Sequence, residues 1–389
     1  MPKPIRVLCV VDNLAVGGVR EIVLSQISGL DSTRFKVGLL TLGDDLEQAR
    51  DRLPSSVAGL AVSYRADYRY HALDYLADGF LLWGARRFGH DAMREIDRFR
   101  PHVLHFHTNP RDLGLGILAS RGARRALVFT DHLVRIRPGE YSRRARFLLR
   151  ASYRRLYRRF HVISVGVSVA RFDREAGFLD PAKEHLLLEN EVDLDRFRPA
   201  DAAPHDGPAE IVYVGRINEV KGVDTLIRAF GRLAVERPVR LVLVGPDSTG
   251  GAMARLAKDC VRTPLAVEFL GQREDVPALL RRAAIGVLPS RREGLPLAVL
   301  EQMASGLPVV VSDISELTDL VADGRNGLVV GVDDPDALAR ALRVLLDDPD
   351  LRARLGRAGR EFVEDRAGDP TPRLARFYEA IVEREAITA

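Results

Sequence analysis

Short apolar runs alternate with helix-like segments along the whole 389-residue chain. In the first half the runs are IRVLCVV (5–11), KVGLLTL (36–42), HVLHFH (102–107), ALVFT (126–130), HVISV (161–165) and HLLLE (185–189). In the second they are EIVYVG (210–215), RLVLVG (240–245), AVEFLG (266–271), IGVLPS (285–290) and LPVVVS (307–312), with a short GLVV (327–330) after them. None alternates strictly between apolar and polar residues, as a strand with one wet face does. Runs that are apolar throughout belong to strands covered on both faces, the condition of parallel sheets flanked by helices. Repeated strand–helix units therefore predict α/β sheets whose ligands sit at the carboxyl ends of the strands.

The alternation is broken at 198–209, RPADAAPHDGPA, which has no apolar period. Pro, Ala and Asp in that density read as a linker between two α/β domains. The tail, 351–389, is helical and charged in pattern. Cys9 and Cys260 stand far apart in sequence with no CxxC and no Cys/His cluster, which argues against a disulfide framework or a structural zinc and fits a reducing cytoplasm. No segment reaches the roughly 20 apolar residues that a membrane-spanning helix needs. The formal charge is only +4, and 53 of the 58 basic residues are Arg. A Lys at a motif position is therefore the more informative residue.

Strand ends hold the candidate site residues. After the first strand, VVDNLAVGGVREIVL runs through Gly17 and Gly18 into a helix. Those glycines let the backbone approach a ligand beside free helix N–H groups, or they simply make a βα turn. This is not the G-x-G-x-x-G dinucleotide pattern. In YVGRINEVKGVDTLIRAF, Arg216 and Lys221 precede a helix carrying Val223, Leu226, Ile227 and Phe230. Two cations beside a helix N-terminus suit a diphosphate, because charge-assisted hydrogen bonds and the helix dipole act on the same anion. In SRREGLPLAVLEQM (290–303), Pro296 suits the first turn of a helix that stops at Gly306. Glu293 stands just before that helix and Glu301 about two turns into it. A carboxylate accepting from two adjacent hydroxyls is a usual way to hold a ribose, so one acid can take a sugar and the other a ribose, with phosphate between. The plainer alternative makes Glu293 a cap and Glu301 a surface residue.

The ordered set of these stretches resembles the retaining glycosyltransferases of the GT-B fold, family 4, whose mark is Glu, seven residues, Glu, here EGLPLAVLE. NLAVGGVREIVL resembles the family's N-terminal glycine loop, HVLHFHTN its strand ending in an active-site histidine, HVISVGVSVARF the segment before its interdomain crossing and NEVDLDRFRP its linker entry. YVGRINEVKGVDTLI resembles the phosphate loop and FLGQREDVPALL the base-reading loop. The resemblance implies two Rossmann-like domains facing each other across a deep cleft. The first, 1–197, would bind the acceptor; the second, 198–370, would bind a nucleotide-diphosphate sugar, UDP- or GDP-linked, and the helix at about 371–389 would pack back on the first. It implies metal-independent, retaining transfer of a hexosyl unit with no cofactor. Glu293, His107, Arg216 and Lys221 would be catalytic. Gly17, Gly18, Gly271, Gln272, Gly294, Leu295, Leu297 and Glu301 would join Arg216, Lys221 and Glu293 around the donor. Asp131 and His132, after ALVFT, would line the acceptor side. Departures from the family pattern are Glu191 in the linker turn, Pro246 in VGPDSTG, and the reversed charges of Arg20 and Glu21.

Two further features stand apart. Asp193 and Asp195 form a DxD, the metal motif of a different glycosyltransferase fold, here beside the interdomain crossing; no metal is expected there. Segment 142–160 carries eight Arg and no acid, with Arg143, Arg146, Arg150, Arg154 and Arg158 on one helical face and Ala145, Leu149, Ser152, Leu156 and Phe160 roughly opposite. It reads either as a solvated helix or as one that lies on anionic lipid, which would make a cytoplasmic protein peripheral on the inner face of the membrane. No aromatic stacking platform supports nucleic acid. The expected acceptor is a carbohydrate or lipid-linked saccharide in envelope or exopolysaccharide synthesis. The alternatives are a small natural-product acceptor, and a GT-B nucleotide-sugar epimerase.

Overall fold

A computed structural model of the chain describes residues 3–12, 18–42, 53, 55–61, 91–107, 113–120, 124–132, 142–189, 191–200, 207–234, 238–261, 266–294 and 296–387. The chain divides into two compact units, Met1–Asn190 with Asp369–Ala389, and Glu191–Gly368.

In the first unit β1 (Ile5–Val11), β2 (Phe35–Thr41), β3 (Ala58–Ala61), β4 (Val103–His107), β5 (Ala126–Asp131), β6 (His161–Ser164) and β7 (His185–Leu187) form one sheet in the order β3-β2-β1-β4-β5-β6-β7. Every pairing is parallel. The reason for the unbroken apolar runs is visible in the packing. Leu8, Val10, Leu104, Phe106, Leu127 and Phe129 enter one core, while their neighbours Val7, Cys9, Val11, Val103, Ala126 and Val128 enter another. Successive side chains point to opposite faces, and both faces are covered. Leu149, Leu156, Tyr157 and Phe160, on and just after the helix Arg143–Tyr157, fill the first core. The helices Gly18–Gly29 and Thr371–Arg384 fill the second. A Cβ on Gly29 would lie 2.3 Å from the Thr371 hydroxyl, so the glycine lets these two helices meet.

In the second unit β8 (Ala209–Val214), β9 (Val239–Val244), β10 (Val267–Gly271), β11 (Ile285–Leu288), β12 (Val309–Ser312) and β13 (Leu328–Val330) run in the order β10-β9-β8-β11-β12-β13, again all parallel. Two of its helices start with the same device. Asp334 and Asp348 accept from the backbone N–H three residues on, each at 2.8 Å, and a proline opens the helix that follows.

In both sheets the order in which strands are added reverses at the centre, between β1 and β4 in one and between β8 and β11 in the other. Loops leaving the two strands at such a switch point turn to opposite faces and leave a crevice at the carboxyl edge, where open α/β sheets bind ligands. Two sequence expectations shift. The unit boundary falls at 190/191 and not at 197/198, because Phe197 is 5% exposed in the second unit's core and its carbonyl accepts from Arg360 at 2.8 Å. The edge strand β3, AGLA, is additional to the expected runs: four residues of weak strand preference carry no periodic signal.

Candidate active site

In the second unit the loops after β8 and β11 are built against each other. Gly222 has φ +67, and a Cβ there would lie 1.9 Å from the Pro289 carbonyl. Only glycine permits both the left-handed backbone and the contact. The helix Val223–Leu233 follows at once, held to the sheet by the fully buried Val223, Leu226, Ile227 and Phe230. Its N-terminus therefore lies at the switch point, where the Val223 N–H donates to the Asn218 carbonyl at 3.4 Å.

These loops bring together residues from the two sequence motifs. The Lys221 ammonium donates to Glu293 Oε1 at 2.6 Å, and the Ser290 hydroxyl donates to the same oxygen at 2.7 Å. Glu293 is only 5% exposed, so this carboxylate is held by two donors in a largely dry place. Arg216 is exposed, and its carbonyl accepts from the Tyr213 hydroxyl at 2.7 Å. Tyr213 is fully buried; its phenol is pushed well above the usual range by burial and by the charge of Glu293, and Arg216 opposes the shift. Tyr213 thus lies within the fields of both groups.

The helix Leu297–Ala304 begins after an extended Pro296. Glu301 therefore lies about one turn inside it, a correction to the two turns expected, because the helix starts at Leu297 and not at Pro296. The helix ends where the sequence places its stop. Gly306 takes φ +76, its N–H donates to Met303 and that of Leu307 to Gln302, the paired bonds of a glycine C-cap. Gly294 and Leu297 are half-buried beside the helix start; Leu295 lies outside the described residues. Gly271, at φ +63, and the exposed Gln272 end β10, two strands from β8, and the Gly271 carbonyl accepts from Gly245 at 2.8 Å.

In the first unit His107 ends β4, opposite Val11 of β1. It is 4% exposed, and its Nδ1 lies 3.3 Å from Nε2 of the half-buried His132. His107, expected as catalytic, and His132, expected on the acceptor side, are thus one pair. Among the described residues His107 Nε2 has no hydrogen-bond partner. Burial pushes its basicity well down, helped by His105 and His132. His105 lies tilted against it, ring centroids 4.1 Å apart, and is itself lowered to about 3 by burial. Both rings are neutral at pH 7. Asp131 is not a lining residue: it is completely buried and accepts from the Tyr157 hydroxyl at 2.6 Å, tying β5 to the basic helix. Gly18 is the exposed first residue of its helix, and Gly17 lies outside the described residues.

Cys9, His105 and His107 bring potential metal-ligand atoms within 4.8 Å of one another. The chemistry is wrong for an ion. Both His105 nitrogens are engaged, by Tyr378 and Thr130 at 2.6 Å each, and burial pushes the Cys9 thiol up to about 12. Asp193 of the DxD spends Oδ1 on the N–H groups of Asp195 and Arg196, a local turn. Sequence reasoning missed Ser290, Tyr213 and Arg291. Ser290 had a visible signal, three residues before Glu293; Tyr213 was one hydroxyl in an apolar run, and Arg291 one of 53 arginines.

Residues 208–348 match the family described as "Glycosyl transferases group 1", and residues 17–187 match "Glycosyl transferase 4-like domain". The D-inositol 3-phosphate glycosyltransferase of Streptomyces avermitilis is 39% identical over 194 residues, 44% of this chain and 41% of that protein. The lipopolysaccharide core biosynthesis mannosyltransferase LpcC of Rhizobium leguminosarum is 32% identical over 213 residues, 51% of this chain and 60% of that one. The matches span about half the length of these curated relatives. HepE from Anabaena, solved with UDP and glucose, superposes with a TM-score of 0.76 over 97% of this chain and 100% of its own, at 17% identity, a likeness of fold. The chain thus has the GT-B fold, and a stretch in each of its two units is similar to a glycosyltransferase family model.

Proposed function

We propose that the protein is a retaining, metal-independent glycosyltransferase that moves a sugar from a UDP- or GDP-linked donor to an acceptor hydroxyl. The observation that carries this is the Lys221–Glu293–Ser290 cluster at the β8/β11 switch point, beside the N-terminus of the helix Val223–Leu233. Arg216, Lys221 and the helix dipole offset the charge of the leaving diphosphate, and preorganised groups aimed at developing charge are the main source of rate enhancement in such a site. Glu293, fixed by two donors, accepts from the hydroxyls of the transferred sugar, and Glu301 from those of the ribose. In retention the acceptor approaches from the face the diphosphate leaves. The leaving phosphate oxygen then takes the acceptor proton, so no protein base is required. Position and electrostatics are the protein's share. In the first unit the neutral His107, paired with His132, offers its Nε2 to carbohydrate hydroxyls.

The acceptor we infer is a lipid-linked saccharide at an anionic membrane surface. Supporting this, Phe147 and Leu148 are 73% and 56% exposed on the basic helix, among Arg143, Arg144 and Arg150. Among the described residues no helix is long and apolar enough to cross a membrane, so contact would be through this face. A thermal-shift panel of UDP, GDP and their sugars tests the reading, since a ligand that binds only the folded state raises its stability by mass action. A UDP or GDP sugar that stabilises the protein and is consumed only with an acceptor supports transfer. Interconversion of the sugar without an acceptor would make it an epimerase, and no stabilisation by any member would refute the donor site.

A further inference from the structure

We propose that Arg291 is a positioning residue for the donor site, setting where Lys221 and Glu293 stand while touching no donor atom itself. This rests on the donor-site reading above. Arg291 sits two residues before Glu293 and reaches back across the switch point. Its backbone N–H donates to the Val220 carbonyl at 2.9 Å, and its guanidinium donates to the Glu219 carbonyl. Those are the two residues just before Lys221. The same guanidinium forks onto both oxygens of Asp224, at 2.7 and 2.9 Å, and reaches the Thr225 hydroxyl at 3.4 Å. Those lie in the first turn of the helix just after it. The loop that carries Lys221 is therefore held on both sides of that residue by one side chain from the loop that carries Glu293.

A second observation comes from another part of the chain. Asp333, beyond β13, is held at φ +59, a left-handed backbone that Asp adopts more readily than most side chains do. Its carboxylate meets Arg291 at 2.5 Å and accepts from Thr225 at 3.3 Å. This turn aspartate closes the clamp from a third segment of the chain. Arg291 is also electrically spent. Asp224 and Asp333 raise its basicity, though burial opposes them; Asp224 is held below the usual carboxylate range by Arg291 and Arg228 against the effect of its own burial. A cation saturated by two carboxylates adds little field to a diphosphate, so its effect must come through geometry. Lysine keeps the charge but lacks the planar fork.

The test is calorimetric binding of UDP and GDP to the full chain, as parent, Arg291→Lys, Lys221→Ala and the double variant. Arg291→Lys is expected to weaken the bound diphosphate about tenfold when Lys221 is present, and less than about twofold when it is absent, because coupled residues are non-additive. A loss by the same factor in both backgrounds would mark a general effect on the fold and overturn the inference. Affinity equal to the parent's would overturn it while leaving the donor site standing. A parent that binds neither diphosphate removes the donor site and this inference together. Should Arg291→Lys not fold, Asp333→Asn decides the matter: a weaker, non-additive loss of about threefold supports the clamp, and unchanged affinity overturns it.

Discussion

Lys221→Met separates the two things the Lys221–Glu293 pair does. The pair is short, 2.6 Å, and Glu293 is 5% exposed. Removing one partner of a buried pair costs about 3–5 kcal/mol when the survivor is left charged and dry. Here the Lys221 side chain keeps 20% exposure and Ser290 still donates to the carboxylate, so the cost falls to about 2 kcal/mol. For a unit of this size that is a fall in Tm of about 4–8 °C. Turnover of the donor selected by the thermal-shift panel is expected to fall by ~10²–10³, as on losing one strong transition-state donor. Adding Glu293→Gln removes the stranded charge and keeps a group that Ser290 can bond. The double variant is therefore expected to regain most of the lost Tm while its rate stays low. Calorimetric melting and steady-state kinetics on the four proteins measure this. Full kcat/KM in Lys221→Met, or a double variant no more stable than the single one, would refute the reasoning.

Three other outcomes follow from the same geometry. Gly222→Ala must either push the Pro289 carbonyl away or abandon φ +67, so it is expected to cost at least ~2 kcal/mol in urea unfolding and to abolish diphosphate binding; a neutral substitution would contradict the close approach of the two loops. Ser at both Phe147 and Leu148, with Arg143 and Arg150 also changed to Ser, is expected to abolish co-sedimentation with phosphatidylglycerol vesicles without shifting Tm, because all four side chains are exposed; equal sedimentation of variant and parent contradicts the membrane face. Glu385, whose carboxyl His161 and Lys183 hold at about 2 against the opposing effect of burial, contributes stability that is complete above its unfolded value and lost as pH falls from about 4.5 to about 2. Glu385→Gln is expected to flatten that part of the acid unfolding curve, and an unchanged curve rules the contribution out.

Much of this was legible in the amino-acid order because burial leaves a direct mark. Strands β1, β4, β5, β8, β9, β11 and β12 read as apolar runs since both of their faces are packed. Lys221 and Glu293 stood out because a lone Lys and a carboxylate interrupt such runs at strand ends. What stayed hidden depends on packing across distance. Nothing local says that Asp131 serves Tyr157, or that His107 and His132, 25 residues apart, share a hydrogen bond. Arg291 could not be told from its fellows, since its role comes from Asp224 and from Asp333, 42 residues further on. The short edge strand AGLA failed for a different reason: four residues, three of them small, can be a strand only because β2 offers them a partner.

The measurement that bears most directly on the donor site is a crystal structure of the protein with a UDP- or GDP-linked sugar bound. The diphosphate is expected at the N-terminus of the helix Val223–Leu233, within hydrogen-bonding distance of Lys221 and Arg216, with Glu293 on the transferred sugar and Glu301 on the ribose. Density for the diphosphate away from the β8/β11 switch point, or Glu293 still closed onto Lys221 with the sugar elsewhere, would contradict the account.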